Sequence, residues 1–136
     1  MNTLIISRLD YQRLQQWIGR AKTDFNFSNN QTNEILRTVN EATLLDPADM
    51  PADVVTMNSR VRLTYPESNH TLEVQLVYPE LANIEKKRIS IFAPLAVAIL
   101  GCRQGTLTKM NTPNGTVTIK IEEVIYQPEA AGHMAL

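Results

Sequence analysis

Cysteine is almost absent: Cys102 is the only one in the chain of 136 residues, so no disulfide can close within it, and a thiolate zinc site would need other ligands. An excess of either charge is missing too. The formal net charge is −1, and proteins that bind phosphate backbones unaided carry a clear basic excess. Direct nucleic-acid binding by this chain alone is therefore not expected. No apolar run approaches the roughly 20 residues that span a bilayer, so no membrane association is expected. The short run Thr3–Ile6 meets Ser7, Arg8 and Asp10 at once, which is not a signal-peptide pattern. The chain reads as soluble and cytoplasmic. The two histidines, His70 and His133, lie far apart, with no carboxylate or cysteine at ligand spacing, and read as surface residues. No Gly-rich phosphate loop is present, and Ser59 lies outside any nucleophile-elbow pattern. Cys102 reads as a packed thiol. No catalytic residue, metal or cofactor is expected.

What the chain does have is an apolar fraction of 43%, enough for a core, and two changes of rhythm. Over residues 1–46 the period is helical. Tyr11, Leu14, Ile18 and Ala21 recur at spacings of three and four, with Leu9 and Trp17 alongside. Ser7, with Asp10 three residues on, suits an N-terminal cap. Asn and Ser residues in 23–30 break the pattern, and a second helix resumes near Asn33 with Ile35, Val39 and Ala42 on one face. Asp46 before Pro47 is the expected stop. This predicts a short antiparallel helical hairpin with helices of about 12–15 residues, reaching roughly 20 Å. Residues 47–53, with Pro47, Pro51 and three aspartates at and beside them, predict a solvated linker.

In 54–136 the period is two. Val61, Leu63 and Tyr65 alternate with Arg60, Arg62 and Thr64. Leu72, Val74 and Leu76 alternate with Glu73 and Gln75, and Val117, Ile119 and Ile121 with Thr118 and Lys120. The Asn114-Gly115 pair sits between two such runs and predicts a hairpin. One stretch is helical: Pro94 suits a first helical position, Leu95–Leu100 is apolar throughout, and Gly101 suits a left-handed exit. A helix apolar nearly all round must lie against a sheet. The fold class expected is α+β: the hairpin, then a bent antiparallel sheet of four to six strands with one short helix on its concave side.

Particular residues carry a family resemblance. Ile89-Ser90-Ile91-x-x-Pro94-Leu95-x-x-x-x-Leu100-Gly101, then Gly105, Thr112-Pro113-Asn114-Gly115 and Ile121-x-x-Val124-x-Tyr126 resemble the C-terminal domain of the Gre transcript-elongation factors over roughly 57–127. The resemblance implies an FKBP-like sheet-and-helix fold. Met50-Pro51-x-Asp53-Val54-Val55-Thr56-Met57-Asn58-Ser59-Arg60-Val61, Leu76-Val77-Tyr78-Pro79 and Tyr126-Gln127-Pro128-Glu129-Ala130-Ala131-Gly132 resemble more closely a Gre-like bacterial group with a shortened coiled coil, the regulators of nucleoside diphosphate kinase. That resemblance implies docking on RNA polymerase at the rim of its secondary channel, in competition with Gre-type factors. It does not imply kinase activity, since no histidine is placed as the phosphorylated nucleophile.

The resemblance also raises the question of chemistry at the hairpin tip. Transcript-cleavage factors carry two acidic residues there to help hold a metal ion. Residues 22–31 hold one carboxylate, Asp24, beside Lys22, and a hard cation wants paired oxygen ligands. Asp24 reads as a loop or cap residue, and cleavage stimulation is not expected. Phe25 and Phe27 at the tip either tuck back on the hairpin or touch a partner. The partner-binding residues expected from the resemblance are Phe92, Ala93 and Pro94. If Ile89 and Ile91 face the core, strand alternation turns Phe92 outward as a hot-spot aromatic before a rigid proline. Phe92 packing under the linker or hairpin is the alternative. Alanine at 93 cannot cap the helix as a serine would. Lys86-Lys87-Arg88 reads as a solvated loop, or as a contact for an acidic surface or nucleic acid. A monomer is favoured. Two competing functions remain open at this point: an FKBP-like peptidyl-prolyl isomerase, or a retained cleavage factor.

Overall fold

The computed structural model describes residues 4–23 and 29–132. The chain enters on a short strand, β1 (Ile5–Ser7), and passes directly into helix α1 (Arg8–Thr23). Ser7 is both the last strand residue and the helix cap: its Oγ accepts the Asp10 N–H at 3.0 Å. Leu14 and Ile18, one turn apart, are buried, with Tyr11 and Trp17 packed at the edge of the same cluster. Helix α2 (Asn29–Glu41) buries Ile35 and Val39.

The second helix does not run to Asp46. It ends at Glu41, and Thr43–Leu45 forms a strand, β2, that pairs in parallel with β1 in the register Ile5↔Thr43. Each strand is three residues long, too short for a period-two signal, and each finds its strand partner in the other. Pro47–Asp49 is a 3-10 helix, and Met50 and Val54 beyond it are buried against Ile5.

The remaining strands form one curled sheet in the order β5-β4-β3-β7-β6, where β3 is Arg60–Tyr65, β4 His70–Val77, β5 Arg88–Ser90, β6 Leu107–Thr112 and β7 Gly115–Tyr126. Register shifts where β3 meets β7 add twist. Three pairings are antiparallel, as expected. The fourth is not: β5 runs parallel to β4, with Gln75 opposite Arg88. Two 3-10 helices, Pro79–Leu81 and Ile84–Lys86, carry the chain back to make this possible. Periodicity reports which face of a strand is buried and is blind to its direction.

The β6–β7 hairpin forms where expected, with Thr112 opposite Gly115. Its loop is Pro113-Asn114, within the turn expected at Pro113-Asn114-Gly115. Proline fixes φ near −65°, so the positive φ falls later, at Gly115 (φ +120°).

Helix α3 (Pro94–Ile99) lies against β6 and buries Ala96 and Ile99. Gly101 leaves it at φ +81°, and a Cβ there would stand 3.2 Å from the Ile5 carbonyl oxygen. That close approach lets the Ile5 N–H donate to the Gly101 carbonyl at 3.0 Å, joining the α3 exit to β1. Ile6, Leu14, Ile18, Ile35 and Val39 share one cluster with Val61, Leu63, Leu76, Ile119 and Ile121, so helices and sheet have a common core.

One polar group sits at that junction. Asp10 is 4% exposed. Its Oδ2 accepts the Met57 N–H at 3.2 Å, and its Oδ1 accepts the Tyr78 hydroxyl at 3.4 Å. Trp17 stacks on Tyr78, with ring centroids 6.2 Å apart. Close by, the Thr56 hydroxyl donates to Glu129 at 2.8 Å and lies 2.7 Å from the Ser59 hydroxyl. Burial pushes the Asp10 carboxyl up to about 7. The Glu129 charge adds to the rise, while the Met57 N–H, Arg13 and Ser7 pull it back. Burial, with the Asp10 charge, likewise holds the Tyr78 phenol well above its usual range.

Asp10 therefore binds a proton more tightly folded than unfolded, where its ordinary value is 3.8. Its contribution to stability is fully present below about pH 4 and is lost as pH rises through 7. The ceiling is about 4 kcal/mol, at ~1.4 kcal/mol per tenfold change in proton affinity. Asp10→Asn keeps an acceptor and a donor in place and removes the charge. Urea unfolding is expected to show the variant gaining stability over the native chain between pH 5 and pH 8. A difference that does not change across this range would exclude proton linkage at Asp10.

Candidate docking site

The joint between β5 and α3 is built by Ser90. The strand ends there, the Ser90 Oγ accepts the Phe92 N–H at 3.1 Å, and its carbonyl accepts the Ala93 N–H at 2.9 Å. This turn bends the chain before α3 and ends the alternation that governs a strand. Both Ile91 and Phe92 consequently face inward. Phe92 is 3% exposed and belongs to the core cluster, so the outward-facing aromatic expected from strand alternation is not found. Ala93 is half-buried, and Pro94 is exposed at the first position of α3. Ala93 occupies the cap position without a side-chain hydrogen bond, as an alanine must. Of the three residues expected at the corner, Pro94 is the one the fold presents to solvent. The tip residues Asp24, Phe25 and Phe27 lie outside the described residues.

Pro94 lines a groove of about 180 Å³ that three elements make together with Leu4. Helix α2 contributes Arg37 and Thr38, α3 contributes Val97 and Ala98, and β6 contributes Thr108 to Asn111. The Thr108 hydroxyl donates to the Ala98 carbonyl at 3.0 Å, fixing the end of α3 against β6. The charged side chains lining the groove are Arg37 and Lys109, both cations. Nothing in the sequence marks Arg37 for this place, since only the fold brings α2 beside β6. The sequence does mark Pro94, because a proline ahead of an apolar run reads as a helix start.

The other candidate residues have structural surroundings. Cys102 is buried, and burial pushes its thiol up to about 11, so it stays protonated and unreactive at neutral pH. The Ser59 hydroxyl accepts the Thr56 N–H at 2.9 Å. His70 stacks on Tyr65, with centroids 6.2 Å apart. His133 lies outside the described residues. Among the described residues no three His, Cys, Asp or Glu side chains gather as metal ligands, and no helix is long and apolar enough to cross a membrane.

Comparison with known proteins matches this architecture. Residues 50–126 fit the family model for the transcription elongation factor GreA/GreB C-terminal domain. The regulator of nucleoside diphosphate kinase of Escherichia coli is 34% identical over 136 residues, covering 98% of this chain and 97% of that protein. The transcription elongation factor GreA of a Nitratiruptor species is 29% identical over 108 residues, covering 79% of this chain and 66% of that one. Among solved structures, the prokaryotic transcription elongation factor GreA/GreB from Nitrosomonas europaea superposes with a TM-score of 0.72 at 32% identity, covering 93% of this chain and 100% of its own. The motif running from β5 through Pro94 to Gly101 lies inside the matched region, and the chain belongs to the GreA/GreB transcription elongation factor family.

Proposed function

We propose that this protein is a transcription regulator that binds RNA polymerase as a monomer at the rim of the secondary channel, in competition with Gre-type factors. The observation that carries the reading is Pro94, an exposed, conformationally fixed residue at the start of α3, in a chain of the Gre family. A residue with its backbone already set loses little entropy when it docks. The cations Arg37 and Lys109 on the adjoining groove favour an anionic surface opposite.

The protein does not stimulate transcript cleavage in this reading. Its tip segment 22–31 holds the single carboxylate Asp24. One carboxylate beside a lysine is a poor site for Mg²⁺. The link to nucleoside diphosphate kinase carried by the name of the Escherichia coli relative is then regulatory, acting through transcription. The FKBP-like likeness of sheet and helix belongs to the scaffold and not to prolyl isomerisation. An isomerase pocket needs clustered aromatics, whereas here Phe92 is in the core, Trp17 stacks on Tyr78 and Tyr65 on His70.

The chain is expected to bind core RNA polymerase in a direct binding assay and to be displaced by GreA. Pro94→Ala should weaken binding by about tenfold, as loss of an interface anchor does. No binding by the native chain, or equal binding by Pro94→Ala, would defeat the proposal. Added to a backtracked elongation complex, the protein should leave the RNA at full length, and shortened RNA would restore the cleavage-factor reading. Phe92→Ala is a folding variant by contrast. It should cost about 3–5 kcal/mol in urea unfolding, the usual penalty for emptying a buried phenylalanine site.

A further inference from the structure

Large apolar side chains that fold into solvent need a reason, and two of the four exposed ones among the described residues, including the most exposed, share one loop. Ile84 is 91% exposed and Leu81 54%, both in the crossover that carries the chain from β4 to β5. The loop is not slack. Asn83 and Arg88 exchange two backbone hydrogen bonds of 2.9 Å, closing it at its neck. Inside, the Lys86 N–H reaches the Asn83 carbonyl at 3.1 Å and its Oδ1 at 3.3 Å, and the Lys87 N–H reaches the Ile84 carbonyl at 3.0 Å. Lys87 is held at φ 58°, a left-handed conformation that costs a residue with a side chain. A rigid, strained turn thus holds an isoleucine almost fully in water, against the hydrophobic effect.

The charge around it has one sign in excess. Lys86, Lys87 and Arg88 follow Ile84, with Glu85 as the carboxylate within the run, and none of the three cations forms an ion pair among the described residues. They line a depression of about 180 Å³ together with Arg60 and Glu73, which pair at 3.4 Å, so the excess charge of its lining is positive. Arg88 also borders a second depression of about 320 Å³, shared with Tyr78 and Leu81. A cationic rim beside a protruding aliphatic side chain fits a protein surface with carboxylates around an apolar pocket. Nucleic acid would use the cations and leave the isoleucine unburied.

We propose that the loop Asn83–Arg88 is a second, pre-formed anchor that seats Ile84 in an apolar pocket on an acidic surface of RNA polymerase. This rests on the polymerase-docking reading and adds a contact separate from Pro94. The strained turn fixes the loop before binding, so little order remains to be gained at the encounter.

The test is affinity for core RNA polymerase at low and high salt, with thermal unfolding as the control for folding. Ile84→Ser should weaken binding about tenfold at unchanged Tm, since the side chain touches little in the free protein. The double variant Lys86→Glu/Lys87→Glu should lose a similar factor at low salt, and the loss should shrink at high salt. If the native chain does not bind, the docking reading fails and the anchor fails with it. If Pro94→Ala weakens binding but Ile84→Ser does not, docking stands and the anchor is overturned. If charge reversal alone weakens binding, the loop meets phosphate or a simple acidic patch, and the apolar anchor is again overturned. If Ile84→Ser alone weakens it, the pocket is not acidic and the proposed chemistry is wrong.

Discussion

One buried carboxylate ties the first helix to the sheet. Asp10 stands in the first turn of α1, yet its oxygens are taken up by Met57, ahead of β3, and by Tyr78, just beyond β4. A buried carboxylate is costly unless it is hydrogen-bonded, and a misplaced partner would leave an oxygen unsatisfied or force the group to take up a proton. The position of α1 is therefore specified by polar geometry as well as by the less directional packing of Leu14 and Ile18. Once α1 is set, β1 is set with it, because Ser7 ends the strand and caps the helix. β1 in turn receives Gly101 from the end of α3 and pairs with β2, which follows α2. The groove beside Pro94, made from α2, α3 and β6, inherits its shape from this chain of contacts.

The outline of the sheet was legible because burial on one face writes itself into the sequence with period two. Val61 and Leu63, Val74 and Leu76, and Ile119 and Ile121 alternate with charged or polar residues, and they are buried residues of the sheet. Helix α3 was legible for a different reason: Pro94 and Gly101 have backbone requirements that mark its two ends. The strands β1 and β2 were not legible. Three residues carry no period, and the partner of each lies across the whole helical segment. The direction of β5 was hidden for the same reason that its existence was visible, since alternation is the same in parallel and antiparallel pairs. Asp10 was read as a capping partner of Ser7, which it is. Its burial depends on Met57 and Tyr78 arriving from elsewhere in the chain, and no local pattern announces that.

Phe92 shows where pattern reasoning reaches its limit. Alternation assigned it to the surface on the assumption that the strand continues to Ile91. Ser90 ends the strand by drawing both Phe92 and Ala93 into a turn, and consecutive residues of a turn need not face opposite ways. A serine before a proline-started helix is a turn former, and that was the signal available. The consequence for function is a division of labour. Ile91 and Phe92 secure the joint from inside, and Pro94 remains as its exposed corner.

The two proposed contacts flank the same element. Strand β5 is an edge strand of three residues, so it spans only about 10 Å at ~3.3 Å per residue. The loop bearing Ile84 enters it and the joint bearing Pro94 leaves it. Each is stiffened by a backbone restriction, a left-handed Lys87 on one side and a proline ring on the other. Strand β5 itself is held by hydrogen bonds to β4, and β4 by the full length of β3. A short edge strand is ordinarily the weakest part of a sheet and the first to fray. Here both of its ends are tied, by the closed neck at Asn83–Arg88 and by the Ser90 turn. A partner surface that met both contacts would find them joined by a strand held in the sheet and not by a slack loop. Rigidity of that kind contributes to affinity by lowering the ordering cost of binding, and to specificity by admitting only surfaces with the matching separation.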